Sequence, residues 1–218
     1  MIDITTALRT NGSVRGFTSE PVSDAVVAAL LDDARFAPSG GNQQPWRVAV
    51  VKDAAVRRQM ADHMRPVWQE YMGAQQAGKR AFAFGKSTGD APIAVPNALI
   101  DQIETVPVVL AIAADLRRIA IMDGNQDQRP AIVGGASIYP FCWSILLAAK
   151  ARGLGGVLTT FLSRAEQGAA PVLGLPDGHA LAATIFLGVP THQNTKLRRN
   201  PVETFATVDR FDGPPLAP

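Results

Sequence analysis

The stretch that decides how this chain is read runs Arg35-Phe36-Ala37-Pro38-Ser39-Gly40-Gly41-Asn42-Gln43-Gln44-Pro45-Trp46. It closes a helix, makes a turn and enters a strand. Upstream, Val26, Val27, Leu30, Leu31 and Ala34 recur at helical spacing across residues 23–37, with Ser23 placed to cap that helix and Pro38 to stop it. Downstream, residues 46–51 carry β-branched side chains with no helical period and read as a strand. Between them, Pro-Ser-Gly-Gly-Asn exposes backbone amides and small polar side chains. Such a turn is either an ordinary helix-to-strand connection or an edge on which a flat, hydrogen-bonding heterocycle can lie close to the backbone.

Further along, Asp53 can cap a second helix through about residue 64, and a short helix is expected around 68–75. From 66 to 105 the period is broken by Gly, Pro and Lys. A stretch this irregular either covers a functional site or is a variable insertion. Residues 106–113 form a buried strand by composition. Residues 136–152 form a helix apolar nearly all round, closed by Gly153, in which Tyr139, Phe141 and Trp143 are expected in the core rather than in a cleft. Ser163-Arg164-Ala165-Glu166 matches a capping box for a helix ending near Gly174. Residues 181–189 are the last strand. About 28 residues follow Pro190 with no apolar period, so this tail is either disordered or lies along something else, such as a partner subunit. Regular strand–helix–strand alternation is absent, which favours one α+β domain over residues 1–218.

Bulk properties exclude several classes. With 218 residues, 47% hydrophobic and only 18% charged, the chain can bury a sizeable core, and a surface this poor in charge often lies in an oligomer. A net charge of +2 gives no case for nucleic-acid or membrane binding, although Lys196, Arg198 and Arg199 gather near the C-terminus. The single cysteine, Cys142, lies in an apolar run and allows neither an internal disulfide nor a multi-thiolate metal site. The start lacks a signal-peptide pattern and no apolar run reaches the roughly 18 residues of a membrane span, so a soluble cytoplasmic protein is expected. Gly153-Leu154-Gly155-Gly156 has Leu158 where a dinucleotide fingerprint needs Gly, and it follows a helix. The histidines (His63, His179, His192) are scattered, with no zinc spacing. There is neither a P-loop nor a Gly-x-Ser-x-Gly elbow.

Five segments carry a family resemblance, in order, across roughly residues 5–205. Ala37-Pro38-Ser39-Gly40-Gly41-Asn42-Gln43-Gln44-Pro45-Trp46 resembles the Ala-Pro-Ser-x-x-Asn-x-Gln-Pro-Trp hallmark of the nitroreductase family. Ser13-Val14-Arg15 matches part of the family's basic N-terminal segment. Ala148-Ala149-Lys150-Ala151-Arg152-Gly153-Leu154-Gly155-Gly156 is similar to its Ala-rich helix ending in Gly-Leu-Gly. Leu187-Gly188-Val189-Pro190 resembles its closing strand, and Arg199-Asn200-Pro201 its Arg-x-Pro tail.

The resemblance implies a nitroreductase-like fold: a central, mostly antiparallel sheet flanked by helices, in a homodimer whose C-terminal arms (about 190–218) are exchanged. It implies FMN held between subunits, NADH or NADPH as reductant, hydride transfer through flavin N5, and nitroaromatics or quinones as acceptors in a ping-pong cycle. Position by position, Gly12, Ser13 and Arg15 should meet the FMN phosphate and pyrimidine edge. Pro38, Ser39, Gly40 and Asn42 should approach the flavin, in part from the partner. Lys196, Arg198 and Arg199 should neutralise the phosphate. Leu158, Thr159 and Thr160 form the loop that presents a backbone amide to N5, best assigned to Thr160. Residues 66–105 should shape access, with Trp68 and Tyr71 as a lid. Asn11 and Gly12 depart from the family, which commonly has basic residues there; Arg9 is the substitute if the chain bulges. Two further outcomes stay open: a flavin-binding or storage protein without turnover, and a specialised flavin reaction such as flavin fragmentation or dehalogenation. No nucleic-acid, membrane or metal partner is expected.

Overall fold

The computed structural model describes residues 2–216. It opens with a helix the sequence pattern does not announce, α1 (Ile4–Thr10), capped by Asp3, whose carboxylate accepts from the Thr6 N–H at 3.0 Å. Only Ala7 of α1 is buried, so no apolar stripe marks it. Helix α2 (Asp24–Ala34) starts at Ser23, which accepts from the Val26 N–H, and buries Val27, Leu30 and Ala34. Strand β1 (Trp46–Val50) follows the turn.

Helix α3 (Ala54–Gln76) begins at the Asp53 cap as expected and then runs straight through Pro66. The two helices expected at 53–64 and 68–75 are therefore one. An internal proline costs about 3 kcal/mol. Here Met60, Ala61, Met64 and Val67 carry one buried stripe across the proline, and that packing outweighs it. Arg57, itself buried, donates to the carbonyls of Val51 (2.9 Å), Glu104 (3.0 Å) and Val106 (2.7 Å), and burial pulls its pKa down. The chain beyond α3 folds back along it. The Ile93 N–H donates to Gln69 O at 3.1 Å and Trp68 Nε1 to Val95 O at 2.8 Å, before the short helix α4 (Ala98–Asp101).

The sheet adds β2 (Val108–Asp115), β3 (Gly155–Thr159) and β4 (His179–Gly188), in the order β1-β2-β4-β3, with every pair antiparallel. Strand alternation sends Leu110, Ile112 and Ile185 into a core shared with Leu30, Phe141 and Ile145. Val109, Ala111 and Phe186 enter a second core with Met60, Met64 and Leu162. The result is an α+β layering with a helix layer on each face of the sheet, and Trp46 stacks on Phe141 at 4.7 Å.

Helix α5 (Tyr139–Ala151) corrects another expectation. Phe141 is core, but Tyr139 and Trp143 are 46% and 40% exposed. Strand β3 reads as a loop in the sequence because two glycines open it, and glycine is poor in strands. They are needed: a Cβ on Gly155 would lie 2.6 Å from Val14 Cγ2. The capping box does not form either. Helix α6 (Phe161–Arg164) contains Ser163, whose buried hydroxyl has no partner among the described residues, and α7 (Glu166–Leu173) starts from Ala165. The Glu166 carboxylate accepts from the Leu181 N–H of β4 instead of the cap. The end is as expected, with Gly174 left-handed at φ 59°. The tail carries a 3-10 turn (Val202–Thr204) and a bridge between Thr207 and Pro215.

Candidate functional site

Strand β3 is one of the two edge strands of the sheet, and residues 12–18 run beside it. The Val14 N–H donates to Gly156 O at 2.9 Å, Thr18 N–H to Val189 O at 2.9 Å, and Thr191 N–H to Gly16 O at 3.1 Å. The base of the tail closes over the same place: Gln193 Nε2 donates to Gly12 O at 3.0 Å. Gly12 has no room for a side chain, since a Cβ would lie 2.5 Å from Asn194 O and 3.0 Å from Leu197. So Gly12, Ser13 and Arg15, far in sequence from residues 193–197 and 155–160, are gathered at one sheet edge.

A cavity of about 590 Å³ opens there. Arg15, Leu158, Thr159 and Thr160 form one side; Trp68, Tyr71 and Phe161 form an aromatic wall, with ring centroids 5.8–6.2 Å apart. Trp68 and Tyr71 thus line the cavity from helix α3. Among the described residues Arg15 is the one formal charge in the lining. Two buried polar atoms nearby have no partner among those residues, Thr159 Oγ1 and Asn11 Nδ2. Because Gly156 turns its carbonyl outward to Val14, the antiparallel ladder turns the backbone of Leu158 outward as well and that of Thr159, the last residue of β3, back towards Thr184; Thr160 lies just past the strand, and its carbonyl accepts from the Arg164 N–H at 3.3 Å. Ser13 is exposed beside this edge, and Lys196, Arg198 and Arg199 are exposed on the tail; none of the four lines the cavity. Arg9 lies exposed on α1, also outside it.

The Pro38–Gln44 turn lines a different cavity, about 470 Å³, with Pro38, Ser39, Gly40 and Gly41 on one side and Arg118, Met122, Val133 and Ser137 on the other. Ser39 Oγ accepts from the Gln44 N–H and Ser137 Oγ from the Gly40 N–H, both at 3.0 Å. Gly41, Asn42 and Gln44 all have positive φ (58°, 53° and 47°), so two non-glycine residues hold a left-handed backbone. Asn42 lies outside the lining, its Oδ1 accepting from Gln44 Nε2 at 3.1 Å. The opposing loop is braced by buried Asp123, which accepts from Arg129 (2.5 Å) and from the N–H groups of Ile132 (2.9 Å) and Val133 (3.2 Å). Those donors, Arg129 first, hold its carboxyl down at about 2. Residues 116–137 carry no sequence pattern that points to a site; Gly134-Gly135 is the nearest to a signal.

The two cavities share no lining residue. Arg15, Leu158, Thr159 and Thr160 come together, Pro38, Ser39 and Gly40 come together, and one chain does not join the two groups. Against known proteins, the family model described as the nitroreductase family matches residues 8–189. The chain belongs to the nitroreductase family.

As a nitroreductase-family chain it is 28% identical to a protein named NADH dehydrogenase from Thermus thermophilus, over 93% of this chain and 94% of the relative. It is 27% identical to a nitrobenzene nitroreductase from Ectopseudomonas oleovorans, over 83% and 84%. Its fold matches the solved NADPH:FMN oxidoreductase from Vibrio harveyi complexed with NAD+, with a TM-score of 0.67 at 20% identity, covering 96% of this chain and 77% of that one. Both the fold class and the oxidoreductase character expected from the sequence are thereby borne out. Among the described residues no helix is long and apolar enough to cross a membrane, and no group of three or more His, Cys, Asp or Glu could hold a metal.

Proposed function

We propose that this nitroreductase-family protein is an FMN-dependent oxidoreductase that moves a hydride from NADH or NADPH to a small nitroaromatic or quinone acceptor by a ping-pong cycle, working as a homodimer. The observation that carries this reading is the division of the sequence-identified residues into two cavities with no residue in common. A cofactor that touches both sets needs two chains.

The residues at the β3 edge suit FMN. The cavity is largely apolar and aromatic, as an isoalloxazine ring requires, with an unpartnered buried hydroxyl at Thr159 and a single guanidinium at Arg15 among the described residues. Ser13 and Arg15, joined by Lys196, Arg198 and Arg199, would hold the phosphate, and the Asn11 amide stands beside them in place of the basic residue common in the family. Bound there, FMN supplies the two-electron chemistry. With the Thr159 carbonyl turned to β4, the same trans peptide plane directs the Thr160 N–H outward, which favours it over that of Thr159 as the donor facing the ring. Thr159 keeps its backbone turned to β4 and offers its hydroxyl.

The dimer reading rests on surface that water should not see. Phe36, Met122 and Ile132 are more than 70% exposed, as are Phe205 and Phe211 on the C-terminal arm. Among the described residues strand β1 has no neighbour on its outer side, so its free backbone offers a place for a partner's arm. The direct test is the visible spectrum of the purified protein, with the released cofactor run against an FMN standard, and sedimentation to give its mass. A yellow dimer that reduces a quinone at the expense of NAD(P)H is the expected result. A yellow protein without turnover would leave a flavin store, and a colourless monomer that ignores added FMN overturns the proposal.

A further inference from the structure

We propose that a polar hollow beyond the Pro38–Gln44 turn reads the 2′-phosphate of NADPH and makes NADPH, not NADH, the preferred reductant; this rests on the oxidoreductase reading above. The hollow, about 250 Å³, is lined by Gln44, Arg47, Asp115, Arg117 and Arg118 over Pro45 and Trp46. Three guanidiniums face one carboxylate, and that carboxylate is already engaged. Asp115 takes Arg117 Nε at 2.8 Å and Nη2 at 3.0 Å, as well as the Arg117 N–H at 3.2 Å. His179 Nε2 stands 3.9 Å from Oδ2, the oxygen that Arg117 Nη2 bonds.

Two cations remain with donors to spare. The side chain of Arg47, on β1, makes no ion pair or hydrogen bond among the described residues, its backbone alone being paired, with Ala113. Arg118 reaches Asp115 only at 3.6 Å and the Gln43 carbonyl only at 3.4 Å. Planar guanidiniums with unspent N–H groups at the rim of a polar hollow match a phosphomonoester dianion, which offers three acceptor oxygens.

Position ties this anion site to the flavin turn. Arg118 lines both the polar hollow and the 470 Å³ cavity of Pro38, Ser39 and Gly40, and consecutive residues Gln43 and Gln44 line one each. A ligand whose reacting ring lies against the turn can extend past Arg118 into the hollow. A dinucleotide is elongated, and its 2′-phosphate is the dianion at the end away from the nicotinamide. The pyrophosphate common to NADH and NADPH, and free phosphate, share the charge but not the position, so the test separates all three.

The experiment uses the full-length protein with its cofactor. Calorimetry with adenosine 2′,5′-bisphosphate, 5′-AMP and inorganic phosphate is paired with quinone reduction driven by NADPH or NADH. The bisphosphate should bind about tenfold more tightly than AMP, the low end for charge-assisted hydrogen bonds at an exposed site. The kcat/KM ratio should favour NADPH by a similar factor. In the double variant Arg47→Gln, Arg118→Gln that ratio should fall towards one, mainly through KM, while Arg58→Gln on the outside of α3 leaves it alone. Equal binding of bisphosphate and AMP, phosphate bound as tightly as the bisphosphate, or a ratio the double variant does not move overturns the inference. If bisphosphate binds selectively but neither nucleotide is turned over, the anion site stands and the oxidoreductase reading falls. If NADH is used as well as NADPH, the reverse holds.

Discussion

Where Gly12 and Gly156 meet backbone on their side-chain faces, Gly40 and Gly41 meet only side-chain atoms at ordinary contact distance. A Cβ on Gly12 would sit 2.5 Å from a carbonyl oxygen of the tail, and one on Gly156 would sit 2.8 Å from Phe186 O. Around Gly40 and Gly41 nothing comes nearer than 3.6 Å. One half-site is thus built by close packing of paired backbone, the other by torsion, in a turn pinned by Ser39 and Ser137. The first should resist added bulk and tolerate little. The second should tolerate bulk and resist only what its φ angles forbid.

The largest effect comes from breaking the packed half. Gly12→Ala must displace the backbone at Asn194, and overpacking of this kind costs about 2–3 kcal/mol. Because the tail base moves with it, FMN affinity should fall at least about tenfold, since about 1.4 kcal/mol amounts to one decade in an equilibrium constant. Urea unfolding and a flavin titration read both. A variant that binds FMN normally would show that the tail base does not form the site.

Substitution in the turn should be milder and should split by position. Gly41→Ala has room but must hold φ 58°, which costs an L-residue about 1–2 kcal/mol. Gly40→Ala has room and an ordinary φ, so its change should stay within about 0.5 kcal/mol. Thermal melts of the pair decide the matter. If Gly40→Ala proves the worse, the turn is a packed element and the contrast between the halves collapses.

The same contrast explains what is legible in the sequence. The turn half can be read because torsional demands select residue types locally: Pro38 stops α2, Gly41 takes a positive φ, and Ser39 accepts from its own turn. The packed half cannot, because its partners lie far apart along the chain. Nothing local to Gly12 reveals Asn194, and nothing local to Gly155 reveals Val14, so β3 reads as a loop. Helix α3 reads as two pieces at Pro66 because a local cost is visible and the buried stripe that outweighs it is not. Ser163 reads as a cap for a helix whose Glu166 turns instead to a strand nearly one helix away. The loop of residues 116–137, which walls the turn cavity, owes its shape to one carboxylate and has no periodicity to show.

That carboxylate gives a pH test of smaller size. Arg129 and the two amides hold the Asp123 carboxyl at about 2 in the fold, against the ordinary 3.8. Its folded pKa is depressed, so its stabilising contribution is fully present above the unfolded value and is lost as pH falls from about 4 through about 2. The loop behind the turn should loosen in that window, and amide exchange at Ile132 and Val133, whose N–H groups it accepts, should rise first. Asp123→Asn should flatten this acid dependence. Asp115 also sits at about 2 and loses its partners in the same window, so the variant and the site-specific amides, not the global acid curve, carry the assignment.

The smallest expected effect is none at all, and it sharpens the contrast most. Cys142 lies fully buried on α5, in the core shared with α2 behind the turn, and burial raises its thiol to about 12. A thiol there is neither ionised nor reachable at neutral pH, so a thiol-specific reagent can label it only when the chain opens. If the turn is soft only in its torsions, its scaffold opens no more readily than the whole protein, and labelling should proceed at the rate set by global unfolding. Mild urea then accelerates labelling with the slope of complete unfolding. Labelling with a much shallower slope would mean that α2 and α5 part locally. The turn half would then be soft through its foundation, and the division drawn between a packed half and a torsional half would have to be replaced by one between a rigid sheet edge and a breathing helix pair.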